Sequence, residues 1–149
     1  MRDTEMYPIK SGGNIMLGEM IGELQGRITG NRVLSSEGPS PKIESSFQES
    51  GKILGVDVTD IGTYLSTARA GGMLYGEANG VIMTKDNDVA TYTAHGIGKF
   101  KEGGAATWRG SLFFQTMSKK LARLNSIAVL FEYEVDENGN TQAKLWEWK

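Results

Sequence analysis

The sequence of 149 residues contains no cysteine, a single histidine and only three prolines. Without cysteine the chain forms no disulfide and no thiolate metal site, and a reducing compartment, the cytoplasm, is the expected location. The lone histidine, His95, has no second histidine or thiol to join it in binding a metal ion. We therefore expect no metal site, and the glycine-rich segments lack the pattern of a phosphate-binding cofactor loop.

Neither sign of charge dominates the sequence. Sixteen basic residues stand against 18 acidic ones, which gives a net charge of −2. No basic stretch stands out, so we expect no nucleic-acid partner. No apolar run approaches the ~20 residues that span a bilayer, and residues 1–5 lack the start of a signal peptide, so we expect no membrane association.

Glycine is abundant, at 20 residues, and much of it lies inside strand-like patterns rather than in linkers. Residues 17–33 alternate with a period of two, which predicts a strand. Bulky apolar residues alternate with glycine on one face, as a tapered barrel interior requires. That face comprises Gly18, Met20, Gly22, Leu24, Gly26, Ile28 and Gly30.

Residues 71–149 have the pattern of five consecutive strands joined by polar turns, and Asn138-Gly139 is a strong hairpin signal. The predicted strands are 72–84, 89–101, 105–117, 127–135 and 141–148. Residues 42–49 and 52–59 predict two more strands around a turn at Ser50-Gly51, while residues 60–67 fit either a strand or a helical turn.

The sequence thus predicts one all-β domain over residues 1–149, an eight-stranded antiparallel up-and-down β-barrel. Residues 118–125 predict the one short helical segment, which would close a barrel end with Leu121 and Leu124 on one face. Residues 1–15 lack periodicity and are expected to be a flexible tail or a strap.

Assumed turn geometry predicts which side chains share a face. A four-residue turn at 85–88 would pair Ile82 with Thr91, and a two-residue turn at 102–103 would pair Ile97 with Trp108. His95 and Ile97 then face the interior, and Tyr92 lies outside with Phe113. With residues 17–33 added, the candidate ligand-binding residues are Met20, Leu24, Ile82, His95, Trp108, Leu112 and Phe114.

Two groups are candidates for chemistry. His95 fits acid–base work in a pocket, or the ordinary role of a hydrogen-bonded core histidine. Glu77 and Arg109 would flank Gly96 and meet there, either as a salt bridge that fixes register or as a substrate-binding pair.

Several segments resemble a family of uncharacterised small prokaryotic proteins. These are residues 96–100, 108–116, 121–125, 132–140 and 144–149. The resemblance implies a calycin-like β-barrel, similar in shape to lipocalins and allene oxide cyclases. It implies no catalytic residues, because the family has none assigned.

Three functions follow as alternatives. The first is a barrel that binds a small apolar ligand in its interior. The second is a structural or interaction protein with a filled barrel, whose half-apolar outer face joins copies into a homo-oligomer. The third is an isomerase or cyclase-type enzyme that uses His95 or the pair of Glu77 and Arg109.

Overall fold

The computed structural model describes residues 17–149, which form a closed antiparallel barrel of eight strands in chain order. Each strand pairs with the next, and β8 pairs with β1. This confirms the predicted up-and-down barrel, while the tail or strap expected at residues 1–15 lies outside the described residues. The strands are β1 (Met20–Ser35), β2 (Lys42–Ile53), β3 (Val56–Ala68), β4 (Met73–Thr84), β5 (Val89–Phe100), β6 (Ala106–Thr116), β7 (Val129–Val135) and β8 (Asn140–Glu147).

The hairpin between β2 and β3 turns at Leu54-Gly55, where both residues have left-handed backbone angles, with φ of 53° and 78°. Ile53 and Val56 are the last paired residues on either side. The predicted turn at Ser50-Gly51 is wrong, because Gly51 lies within β2 and lets the backbone of β1 approach closely. Residues 60–67 belong to β3, so the strand alternative was correct there.

The hairpin between β4 and β5 has a three-residue turn rather than the four-residue turn assumed from the sequence. The Thr84 N–H donates to the Asp88 carbonyl at 3.0 Å, and Asn87 takes a left-handed φ of 66°. A left-handed third residue is the usual geometry of such turns. The pairing consequently shifts by one residue, and Ile82 lies opposite Ala90.

The same turn recurs in the two later hairpins. The Lys101 N–H donates to the Ala105 carbonyl at 2.8 Å, and the Asp136 N–H donates to the Asn140 carbonyl at 2.9 Å. Gly139, the third residue of the last turn, has a φ of 82°. The two predicted pairings, of Ile82 with Thr91 and of Ile97 with Trp108, were therefore each wrong by one residue.

A one-residue shift changes which residues of neighbouring strands share a face. Tyr92, predicted on the outer face, is buried inside the barrel. Ile97, predicted inside, lies on the outer face opposite Arg109. Leu74, Trp108 and other members of the predicted apolar face do line the interior.

Aromatic rings occupy the space above the inward-facing glycines. The ring of Phe47 lies over Gly62 and that of Tyr92 over Gly80, and a Cβ at either glycine would overlap the ring. The space above these two glycines is therefore filled by neighbouring side chains.

The predicted helical segment at 118–125 is a short 3₁₀-helix, Ala122–Ser126, which follows β6. Leu121 and Leu124 are fully buried beneath it. The Asn125 side chain is hydrogen-bonded to both backbone groups of Thr116, at 2.8 Å and 3.0 Å. The segment therefore closes one end of the barrel, as predicted.

Candidate functional site in the barrel interior

The barrel interior contains a cavity of about 70 Å³ with mainly apolar walls. Six of the candidate residues predicted from the sequence border it, and all of them except His95 are buried inside the barrel. The buried ones are Leu24, Ile82, Trp108, Leu112 and Phe114.

Two carboxyl groups lie inside the same apolar barrel. Glu49 of β2 and Asp60 of β3 are directly opposite one another, and both border the cavity. Their residues are only 5% and 3% exposed. Acidic residues are almost never buried to this extent without partners, so this acid pair is the chemically distinctive feature of the interior.

Hydroxyl groups from distant strands hold the acid pair in place. The Tyr92 hydroxyl of β5 lies 3.0 Å and 3.1 Å from the two Asp60 carboxyl oxygens and donates to them. The Thr141 hydroxyl of β8 donates to Glu49 Oε2 at 2.6 Å. The pair is thus positioned by four strands, which makes it a rigid feature of the fold.

Burial changes the protonation of the acid pair. It raises the pKa of Asp60 from 3.8 to about 8, and the neighbouring charge of Glu49 adds to the effect, whereas the Tyr92 hydrogen bond opposes it. Burial also raises the pKa of Glu49, against the hydrogen bonds from Thr141 and Asp60. Near neutral pH the pair therefore retains a proton that two exposed carboxyl groups would have lost.

Two buried polar groups at the cavity have no hydrogen-bond partner within the described part of the chain. They are the indole nitrogen of Trp108 and the hydroxyl of Tyr133, on residues 5% and 8% exposed. Buried polar groups are nearly always satisfied in proteins. The cavity therefore offers hydrogen-bonding groups that the described side chains do not use.

Aromatic rings form one wall of the cavity. The Tyr64 ring packs against those of Phe47, Trp108 and Tyr133, with centroids 6.1, 5.6 and 5.9 Å away. The tilted and edge-on arrangements are those that aromatic pairs favour. The wall combines apolar surface with ring faces that attract positive charge.

The structure corrects the placement of His95 and Met20. Although His95 borders the cavity along β5, it is exposed on the outer face, where its Nδ1 is hydrogen-bonded to the Tyr75 hydroxyl at 2.8 Å. The register shift explains this, since His95 pairs with Glu77 and not with Ala78. Met20 is 44% exposed, because an irregularity in the pairing of β1 with β8 turns Ile21 inward in its place.

Glu77 and Arg109 do not meet. Arg109 lies opposite Glu132, and its Nη1 forms an exposed ion pair with Glu132 Oε2 at 2.6 Å. Glu77 is also on the outer face, beside His95. The enzyme alternative required one of these groups to point into a pocket of the interior, and none of them does.

Sequence reasoning missed Glu49, Asp60 and Tyr92 as site residues. A signal was present, because the alternation through Ile43, Ser45 and Phe47 places Glu49 on the inner face. The misplaced turn at Ser50-Gly51 made Glu49 look like the polar end of a strand. Tyr92 was assigned to the outside by the wrong register.

A metal site and a membrane-spanning helix are both absent from the described part of the chain. Among residues 17–149, no three histidine or acidic side chains converge as a metal site would require. The helices in this range are all too short or too polar to cross a membrane.

No protein-family model matches the chain, and no curated protein matches it either. Solved structures do. A conserved protein of unknown function from Rhodopseudomonas palustris matches with a TM-score of 0.74 and 13% identity, over 87% of this chain and 95% of that one.

Two further structures are equally similar. A protein of unknown function from Clostridium acetobutylicum ATCC 824 matches with a TM-score of 0.74 and 12% identity, over 88% of this chain and 98% of its own. A beta-barrel-like protein from Acinetobacter baumannii AYE matches with a TM-score of 0.74 and 10% identity, over 88% of this chain and 94% of its own. At these identities the likeness is one of fold alone, and the functions of the first two of these proteins are themselves unknown.

Proposed function

We propose that this barrel binds a small, mainly apolar molecule in its interior. The observation that carries the proposal is the interior cavity of about 70 Å³, bordered by apolar walls and by a few convergent polar groups. Such a combination is typical of small-molecule sites.

The size of the cavity limits the ligand. Sites for drug-sized molecules measure about 300–1,000 Å³, and an engineered apolar cavity of about 150 Å³ accommodates benzene. A cavity of about 70 Å³ suits a molecule with only a few non-hydrogen atoms. A fatty acid would enter only if rings such as those of Phe47 and Tyr92 moved off their glycines.

The proposal includes the calycin-like relationship and the cytoplasmic location that are expected from the sequence. Hydrophobic-ligand carriers occur among calycin-like barrels, so a calycin-like relationship would fit an interior ligand, by analogy of fold. The expected cytoplasmic location would give access to small metabolites.

The test is an NMR titration of the isotope-labelled protein with xenon and cyclopropane. We expect amide shifts at residues that border the cavity, such as Leu112 and Phe114. Leu112→Ala should enlarge the cavity and strengthen the binding of cyclopropane.

Phe113→Ala is the matched control, because Phe113 lies on the outer face of the same strand and is 52% exposed. It should leave binding unchanged. Absence of shifts in both the wild type and a folded Leu112→Ala variant would refute the proposal.

A second candidate function is self-association through the outer face. Ile97 is 41% exposed there and borders a groove of about 610 Å³ with Tyr75, Leu130 and Trp146. Exposed apolar grooves of this kind mark interaction surfaces. The exposed ion pair of Arg109 and Glu132 lines the same groove and would add specificity between two copies.

Sedimentation velocity at micromolar concentration tests this candidate. A homo-oligomer is expected, and Ile97→Glu should dissociate it because the new charge would be buried. Gln25→Glu, on an exposed position of β1, is the control. A monomeric wild type would rule out the candidate.

A further inference from the structure

We propose that the interior site takes a small organic cation, a protonated amine of two or three carbons, with its ammonium group against Glu49 and Asp60. This inference rests on the proposed interior binding and specifies the chemical class of the ligand.

The acid pair has no positively charged partner within the described residues. The acid pair is buried in the barrel, and none of the ion pairs found among residues 17–149 involves either member. Tyr92 and Thr141, which donate to the pair, are neutral. Burying a carboxylate without a cation costs free energy. A cationic ligand would supply the positive charge that the described side chains do not place beside the pair.

The Tyr133 hydroxyl is a second and independent feature of the site: it borders the cavity, is buried and has no partner at full hydrogen-bond geometry within the described residues. Burial raises its pKa, the neighbouring Tyr64, Glu49 and Asp60 add to the effect, and the nearby Thr141 hydroxyl opposes it. A hydroxyl oxygen accepts hydrogen bonds, so it can serve as a third acceptor for an ammonium group with three N–H donors.

The aromatic wall of the cavity is also suited to an organic cation. The rings of Phe47, Tyr64 and Tyr133 border the cavity, and their centroids are 5.6 to 6.1 Å apart. Ring faces attract organic cations, most strongly where water is excluded. The wall would also cover the short alkyl part of the amine.

Size completes the match. The cavity of about 70 Å³ has room for a few non-hydrogen atoms, which ethylammonium provides. Larger amines should be rejected, because the surrounding rings are packed against glycines.

The acid pair makes binding depend on pH. Tyr64, Tyr92 and Tyr133 face it from β3, β5 and β7, and burial raises the pKa of all three, so they stay neutral. Protonation of the pair removes its negative charge. Affinity for ethylammonium should therefore rise as the pH increases toward about 8, where Asp60 loses its proton.

The experiment titrates the protein with ethylammonium, with ethanol as the neutral molecule of similar size and with xenon as the apolar probe. Isothermal calorimetry and NMR shifts report binding. Glu49→Gln keeps the shape of the side chain and removes its charge, and Asp60→Asn is the second variant should the first fail to fold. Glu132→Gln, on the outer face, is the matched control.

We expect ethylammonium to bind more tightly than ethanol, and Glu49→Gln to weaken it at least tenfold while xenon binding and the Glu132→Gln variant remain as in the wild type. Xenon binding without ethylammonium binding would overturn this inference and leave the proposed interior site standing. Equal ethylammonium binding by wild type and Glu49→Gln would overturn it as well. Failure of every probe would refute both proposals.

Discussion

Glu49 and Asp60 lie directly opposite one another on adjacent strands, inside the barrel and away from solvent. Burial in this apolar setting, together with the neighbouring charge of Glu49, raises the pKa of Asp60 to about 8, so its carboxyl group keeps a proton near neutral pH. Among residues 17–149, Glu49 and Asp60 are the only buried acidic residues, in a core that is mainly apolar and aromatic.

The acid pair should make stability fall as the pH rises. The unfolded chain releases the Asp60 proton near its ordinary pKa of 3.8, whereas the folded chain holds it to about 8. The folded state thus binds more protons between these values, and its stability decreases there, by at most about 1.4 kcal/mol per pH unit. Urea unfolding measured from pH 4 to pH 9 checks this. Asp60→Asn should flatten the profile, and an unchanged slope in that variant would contradict the assignment.

Tyr92→Phe should destabilise the protein by about 1–3 kcal/mol, because it removes the hydroxyl that donates to Asp60 and leaves a buried carboxyl group short of a partner. Chemical denaturation at pH 7 measures the change. Tyr75→Phe is the control, since its hydrogen bond to His95 is exposed and should matter little. Equal effects of the two substitutions would show that the interior hydrogen bond is unimportant.

Gly80→Ala should destabilise the barrel by about 1–3 kcal/mol, because the added methyl group would overlap the Tyr92 ring. Gly30→Ala is a matched substitution in β1, where a Cβ would meet nothing within 4 Å. It should leave the denaturation midpoint nearly unchanged. If both variants behaved alike, the close contact of ring and glycine would not be the cause.

Leu124→Ala should cost about 2–5 kcal/mol, because the side chain is fully buried where the 3₁₀-helix closes the barrel. Met117→Ala, at a residue 98% exposed, is the comparison and should change stability by less than about 0.5 kcal/mol. Thermal and urea unfolding report both values. A small effect of Leu124→Ala would mean that this segment packs only loosely on the barrel.

The strand pattern and the closed barrel were predictable from the sequence because alternation of apolar and polar residues is a local property. Register was not, because it depends on turn conformation. The left-handed φ of Asn87 shortened one turn by a residue, and that moved Tyr92 inside and His95 outside. The sequence pattern indicated one member of the acid pair, since Glu49 follows the inward alternation of β2. Its opposition to Asp60 required the turn at Leu54-Gly55, which the sequence pattern placed too early.

Closure of the barrel brings together strands from opposite ends of the described chain. Glu23 of β1 and Gln142 of β8 are hydrogen-bonded at 3.4 Å although 119 residues separate them. The last ladder therefore cannot form until β8 has been synthesised, and contacts of such long range slow folding to milliseconds or seconds. A nascent chain still lacking β8 would expose the lateral edge of β1, so the ribosome must translate β8 before that edge is protected from pairing with other chains.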